Sequence, residues 1–116
     1  LAREGARVLV LRLTRRAGGL TLASVTAQQN GAGGAQVTFT LSAPARCAVR
    51  VLNIAGRVVR TVESERLRPQ GANEVIWNGR SDQGTLVPGG LYLVVVEAVG
   101  EDGARARAIG SLALRR

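Results

Sequence analysis

An all-β sandwich of two sheets, with about seven strands plus an extra N-terminal strand, is the fold this sequence predicts. Three observations lead there. Apolar residues recur with period two rather than 3.6, as in Gln36–Ser42 and Cys47–Asn53. The alternating runs are short and separated by Gly, Asn, Asp and Pro, the residues of turns. The chain has 116 residues, 46% of them hydrophobic, which is enough for one domain with its own core.

Eight runs read as strands: Arg7–Leu13, Leu20–Thr26, Gln36–Ser42, Cys47–Asn53, Arg57–Val62, Asn73–Trp77, Leu91–Val99 and Arg105–Leu114. The alternation assigns their faces. Val37, Phe39 and Leu41 point inward from the third run, with Thr38 and Thr40 outward. Val49 and Val51 point inward beside an outward Arg50, and Val75 and Trp77 point inward from the sixth run. In Leu91–Val99, Tyr92, Val94, Val96 and Ala98 share one face, and Leu91, Leu93, Val95 and Glu97 the other. Both faces are mostly apolar, so this strand is expected to be covered on both sides. The run RVLVLRL is also apolar on both faces, Val8 and Val10 on one and Leu9, Leu11 and Leu13 on the other. It reads as a strand that completes its own sandwich or adds to a neighbour's sheet edge, and SLALRR at the C-terminal end offers a similar edge.

Turn chemistry fills the gaps. NGAGGA at 30–35 reads as a flexible loop, Asn78–Gly79, SDQG at 81–84 and PGG at 88–90 as turns, and EDG at 101–103 as the turn of a hairpin. Val62–Leu67 has the composition for a turn of helix before Pro69 and Gly71 stop it. The organisation expected is N-terminal strands and a Gly-rich loop over 1–34, carrying the assembly strand, and the sandwich proper over 35–116.

Composition narrows the function. All 16 basic residues are Arg, and His and Met are absent; the net charge is +8. Without an initiator Met the chain reads as a processed or excised product. The charge is spread along the chain, with no stacking set of aromatics, helix-turn-helix pattern or zinc-finger spacing, so nucleic acid is not the expected partner. Without histidine there is no base for a Ser or Cys nucleophile, and no GxSxG occurs. The glutamates alternate outward on strands, where solvated or Arg-paired roles are expected. Asp82 with Asn78 and Gln83 offers too few carboxylates for calcium, and the loop at Gly31–Gly34 lacks the Gly-Lys-Ser/Thr ending of a phosphate loop. Cys47 reads as a small buried hydrophobe, with an intermolecular disulfide as the alternative. No apolar run is long enough to span a bilayer as a helix.

The stretch from Cys47 to Val99 carries a family likeness. VRVLNIAGRVVRTV followed by GANEVIWNGRSDQGTLVPGGLYLVVVEA resembles the Ig-like domain of the flagellar hook-capping family. It is also similar to C-terminal modules of exported bacterial proteins, including type IX sorting domains. The pattern is carried by Gly56, Gly71, Asn73, Trp77, Asn78, Gly79, Asp82, Gly84, Val87, Pro88, Gly90 and Tyr92. Asn78 stands where the family usually has Asp, and GSLALRR replaces the Lys-rich ending of many sorting domains. The resemblance implies an immunoglobulin/fibronectin-III-like sandwich used for assembly, display or export.

Every motif residue has a scaffold role open to it. Trp77 can bridge the sheets; Gly79, Gly84 and Gly90 suit reversals; Asp82 can accept a backbone N–H two residues on. Pro88 fixes φ before the last hairpin, and Tyr92 can tie its hydroxyl to backbone at a sandwich corner. Phe39, Val49, Val51, Val94 and Val96 complete the expected core. The expected function is that of a non-catalytic structural or assembly module of an exported or cell-surface bacterial protein, a filament subunit built by strand addition through Val8, Leu9, Val10, Leu11 and Leu13. A secretion or sorting module, and a carbohydrate- or surface-binding module, are the alternatives. No catalytic residue, metal or cofactor is expected; the partner is protein, by self-association or a neighbouring domain.

Overall fold

The computed structural model describes residues 19–31 and 33–116. Among these are seven strands: β1 (Leu22–Gln29), β2 (Ala35–Leu41), β3 (Ala45–Asn53), β4 (Val58–Arg68), β5 (Gly71–Trp77), β6 (Gly90–Gly100) and β7 (Arg105–Leu114). They form a three-stranded sheet in the order β1-β2-β5 and a four-stranded sheet in the order β4-β3-β6-β7. Every pairing is antiparallel. No helix long and apolar enough to cross a membrane occurs among the described residues. The expected strand Arg7–Leu13 lies outside them.

The inward residues of both sheets form one core, as the period-two pattern demands. Val37, Phe39, Leu41, Val75 and Trp77 come from the smaller sheet. Cys47, Val49, Val51, Tyr92, Val94, Val96, Leu112 and Leu114 come from the larger. The lack of aromatics is met by close packing of Val and Ala, with Trp77 and Phe39 the largest fully buried side chains. The two outer faces differ. That of the smaller sheet carries Gln28, Gln36, Thr38 and Thr40. That of the larger carries Leu52, Leu93 and Val95, flanked by arginines.

Register shifts bend both edge strands, one in β1 and three in β4. In β1, Ala23 pairs with Thr40 and Thr26 with Thr38, so one residue is extra, and Ser24 takes a φ of 57°. In β4, Glu63 pairs with Val49 and Arg66 with Cys47, leaving another extra residue, and Glu65 takes a φ of 53°. The strand expected at Arg57–Val62 thus continues through Val62–Leu67, where composition alone offers a turn of helix. Pairing to β3 carries the strand on to Arg68, and tertiary hydrogen bonding outweighs the local propensity. Across the bulge Arg68 grips Glu63 in a fork, Nε to Oε2 at 3.0 Å and Nη2 to Oε1 at 2.6 Å.

The loop expected at 30–35 is also shorter than read. Asn30 closes it, its N–H donating to the Gly34 carbonyl at 3.0 Å and its Oδ1 accepting from the Gly34 N–H at 3.1 Å. Ala35 already belongs to β2 and is fully buried.

Candidate functional site

From Trp77 on, the motif residues gather at one end of the sandwich, where the β5–β6 connection folds over the core; Gly71 and Asn73 lie at the opposite end of β5, where Asn73 Nδ2 donates to the Pro69 and Gly71 carbonyls. Trp77 ends β5 with its ring buried. It meets Tyr92 of the opposite sheet edge-to-face, centroids 6.3 Å apart and planes at 65°. The sheets are thus bridged by two aromatics, each with its polar atom satisfied. Trp77 Nε1 donates to the Arg80 carbonyl at 2.9 Å, and the Tyr92 hydroxyl donates to the Pro88 carbonyl at 2.6 Å.

The loop between them is held by its own side chains. The Arg80 N–H donates to Asn78 Oδ1 at 3.0 Å. Ser81 Oγ accepts from the N–H groups of Gln83 and Thr85, and the Gly84 N–H donates to the Ser81 carbonyl. The local turn role expected of Asp82 therefore falls to Ser81. Asp82 reaches across to β4: its Oδ1 accepts the Thr61 N–H at 3.1 Å and stands 3.8 Å from Arg60 Nε. Its own N–H donates to the Val59 carbonyl. Sequence spacing shows only the local option; the cross-strand option exists only once β4 runs beside the loop.

Gly34 and Gly79 allow the β1–β2 and β5–β6 connections to touch. A Cβ on Gly34 would stand 1.8 Å from the Trp77 carbonyl oxygen, and one on Gly79, where φ is +80°, 2.3 Å from the Gly33 carbonyl oxygen. Arg116 clasps the same contact, Nη1 donating to the Gly33 carbonyl at 2.7 Å and Nε to the Val87 carbonyl at 3.0 Å. Gln29 and Arg115 add a reciprocal pair, side-chain amide to carbonyl at 2.8 Å and N–H to side-chain oxygen at 2.7 Å. The Arg-Arg pair thus acts as a staple that its exposed, charged composition did not announce. Gly84 and Gly90 occupy reversals at φ 86° and 148°.

Cys47 is fully buried, and burial pushes its thiol up, with the nearby Glu63 carboxylate adding to the effect. Such a thiol is a poor nucleophile. Arg68 is held above its ordinary value chiefly by its hydrogen bond to Glu63. Two further acidic groups are engaged structurally: Glu97 pairs with Arg50 at 2.5 Å and Arg107 at 3.6 Å, and Glu74 accepts from Gln36. Among the described residues no cluster of His, Cys, Asp and Glu is arranged to hold a metal. Val8, Leu9, Val10, Leu11 and Leu13 lie outside the described residues.

Known proteins match this arrangement. The family model described as the FlgD Ig-like domain matches residues 24–102. The crystal structure of FlgD from P. aeruginosa superposes with a TM-score of 0.61 at 16% identity, over 79% of this chain and 69% of that one. PorZ, described as a bacterial surface component of the type IX secretion system of Porphyromonas gingivalis, gives a TM-score of 0.41 at 21% identity. That match covers 81% of this chain and 11% of PorZ, and is too loose to define a fold. No curated protein matches the chain. With most of its described strands and the Trp–Tyr bridge inside the matched span, the chain belongs to the FlgD Ig-like domain family.

Proposed function

We propose that this chain is a non-catalytic assembly module of an exported or cell-surface bacterial protein, working through protein–protein contact and building larger structures by β-strand addition. The observation that carries the reading is the use made of the motif. Trp77, Asn78, Ser81, Asp82, Pro88 and Tyr92 all hold backbone or pack core, and the Asp82 carboxylate among them is tied to the Thr61 N–H and Arg60. Family membership supports the same reading. The carbohydrate-binding alternative loses ground, because Phe39, Trp77 and Tyr92 are all buried and offer no stacking platform.

The strand-addition version rests on Val8, Leu9, Val10, Leu11 and Leu13 as the donated run. Its test is the mass in solution of the full chain and of a form lacking residues 1–14, by light scattering with imaging of the same samples. The full chain is expected to form assemblies or filaments, and the shortened form to stay soluble and smaller. Equal masses would overturn strand addition.

A further inference from the structure

We propose that the outer face of the four-stranded sheet docks an acidic, apolar-rich polypeptide segment of a partner protein, with Arg46 and Arg105 as its carboxylate-binding pair. This rests on the reading of the chain as a protein-contact module, but on residues other than the 7–13 run.

The ladder fixes which side chains share the face. Arg46 pairs with Val99 and Val99 with Arg105; two residues along, Ala48, Glu97 and Arg107 line up. Arg50, Val95 and Ile109 follow, then Leu52, Leu93 and Ser111. The middle of the face is apolar: Val95 is only 3% exposed, whereas Ile109 beside it is 51% exposed. Toward one end the face opens into a groove of about 550 Å3, with Arg46, Ala48, Val99 and Arg105 among its lining and Glu65 and Glu97 on its wall.

The charges in the groove are unequal. Glu97 is already taken by Arg50 and Arg107. Arg46 and Arg105 have no ion-pair or side-chain hydrogen-bond partner among the described residues. They flank Val99 two strand spacings apart, about 10 Å, within reach of one carboxylate held between them. The guanidinium fork fits a carboxylate with two parallel hydrogen bonds. Apolar side chains of the partner would cover Leu93 and Ile109 beside the buried Val95, while its acidic ones meet the arginines.

Other occupants fit less well. A second copy brings a net charge of +8, and residues 1–18 bring five arginines against one glutamate, so both are repelled by a basic face. Single-stranded nucleic acid stacks its bases on aromatics, and all three aromatics here are in the core. The outer face of the smaller sheet, with its threonines and glutamines, offers neither the charge nor the apolar floor.

The test titrates the full chain with a fluorescein-labelled twelve-residue peptide of alternating Glu and Val, following anisotropy, and maps amide shifts by NMR. Saturable, salt-sensitive binding is expected, with shifts confined to β3, β6 and β7. Arg46→Gln with Arg105→Gln should weaken it at least tenfold. Gln28→Glu with Thr40→Glu removes the same two units of net charge on the opposite face, and should change it less than threefold. Absence of saturable binding, an equal loss in both variants, or equal binding of a Lys–Val peptide or a twelve-nucleotide single strand would overturn the proposal. The form lacking residues 1–14 should bind the peptide as the full chain does. Loss of self-association with retained peptide binding therefore separates the two readings, as does the reverse outcome.

Discussion

Truncating Trp77 measures how much of the fold hangs on the bridge between the sheets. The ring is 1% exposed, faces Tyr92 at 6.3 Å and donates to the Arg80 carbonyl. A buried aromatic of this kind removes about 150–250 Å2 from water, worth about 4–6 kcal/mol as an upper bound. Measured truncations of buried aromatics to Ala cost about 3–5 kcal/mol. Trp77→Ala should fall in that range, a large part of the roughly 5–15 kcal/mol that holds a domain folded. Trp77→Phe keeps most of the packing but leaves the Arg80 carbonyl without its donor, and should cost about 1–2 kcal/mol. The assay is urea unfolding followed by far-ultraviolet circular dichroism, since the only tryptophan is the residue removed. With a slope near 2 kcal/mol per M, Trp77→Ala lowers the midpoint by about 2 M and Trp77→Phe by under about 1 M. Equal losses in the two variants would show that the indole N–H, not the ring, holds the sheets together. A loss below about 1 kcal/mol in Trp77→Ala would refute the bridge altogether.

Gly34→Ala should destabilise by at least about 3 kcal/mol, because the new Cβ meets the Trp77 carbonyl oxygen at 1.8 Å and backbone must move. Gly31→Ala in the same loop meets nothing within 4 Å and should stay within about 0.5 kcal/mol by the same unfolding measurement. Cys47 should react with a thiol reagent only as fast as the sandwich opens, and at once in denaturant. Its folded pKa is raised above the ordinary value of 9.0, so the unfolded chain releases this proton first. The contribution of this thiol to stability is therefore fully present below about pH 9 and is lost as pH rises from there through the folded pKa. Cys47→Ala should remove that part of the slope in midpoint against pH.

Most of the fold was legible because strands half-buried between two sheets must alternate, and these do. β2, β3, β6 and β7 lie within two residues of their expected bounds. What local pattern could not show was long-range pairing. The segment Val62–Leu67 looks helical in isolation, yet β3 beside it and the Glu63–Arg68 fork make it a bulged strand. Asp82 reads as a turn residue, but its acceptor faces Thr61, 21 residues away. Arg115 and Arg116 read as a solvated end, yet they clasp loops more than 25 residues distant. The double covering expected for Leu91–Val99 holds for Val95 but not for Leu91, which is 54% exposed. The apolar outer face was thus visible in the sequence, while the pairing of Arg46 with Arg105 across Val99 needed the register.

The edges of the sheets constrain how such a module can associate. An unprotected edge strand is a template for another chain. At one side β1 and β7 lie against each other: a Cβ on Gly110 would meet the Val25 carbonyl oxygen at 3.1 Å, and Gln29 and Arg115 exchange two hydrogen bonds. At the other side the loop after β5 covers the early part of β4, through Asp82 to Val59 and Thr61. The later part of β4 is kinked by the bulge at Glu65 and gripped by Arg68. β5 is different: among the described strands it pairs only with β2, and its outward Ile76 is 57% exposed. Among the described residues β5 is therefore the edge that the proposed donated strand would meet, on the sheet opposite the arginine-flanked face. The proposed strand addition and the proposed acidic-segment docking would then use different sheets of the sandwich, and neither would block the other.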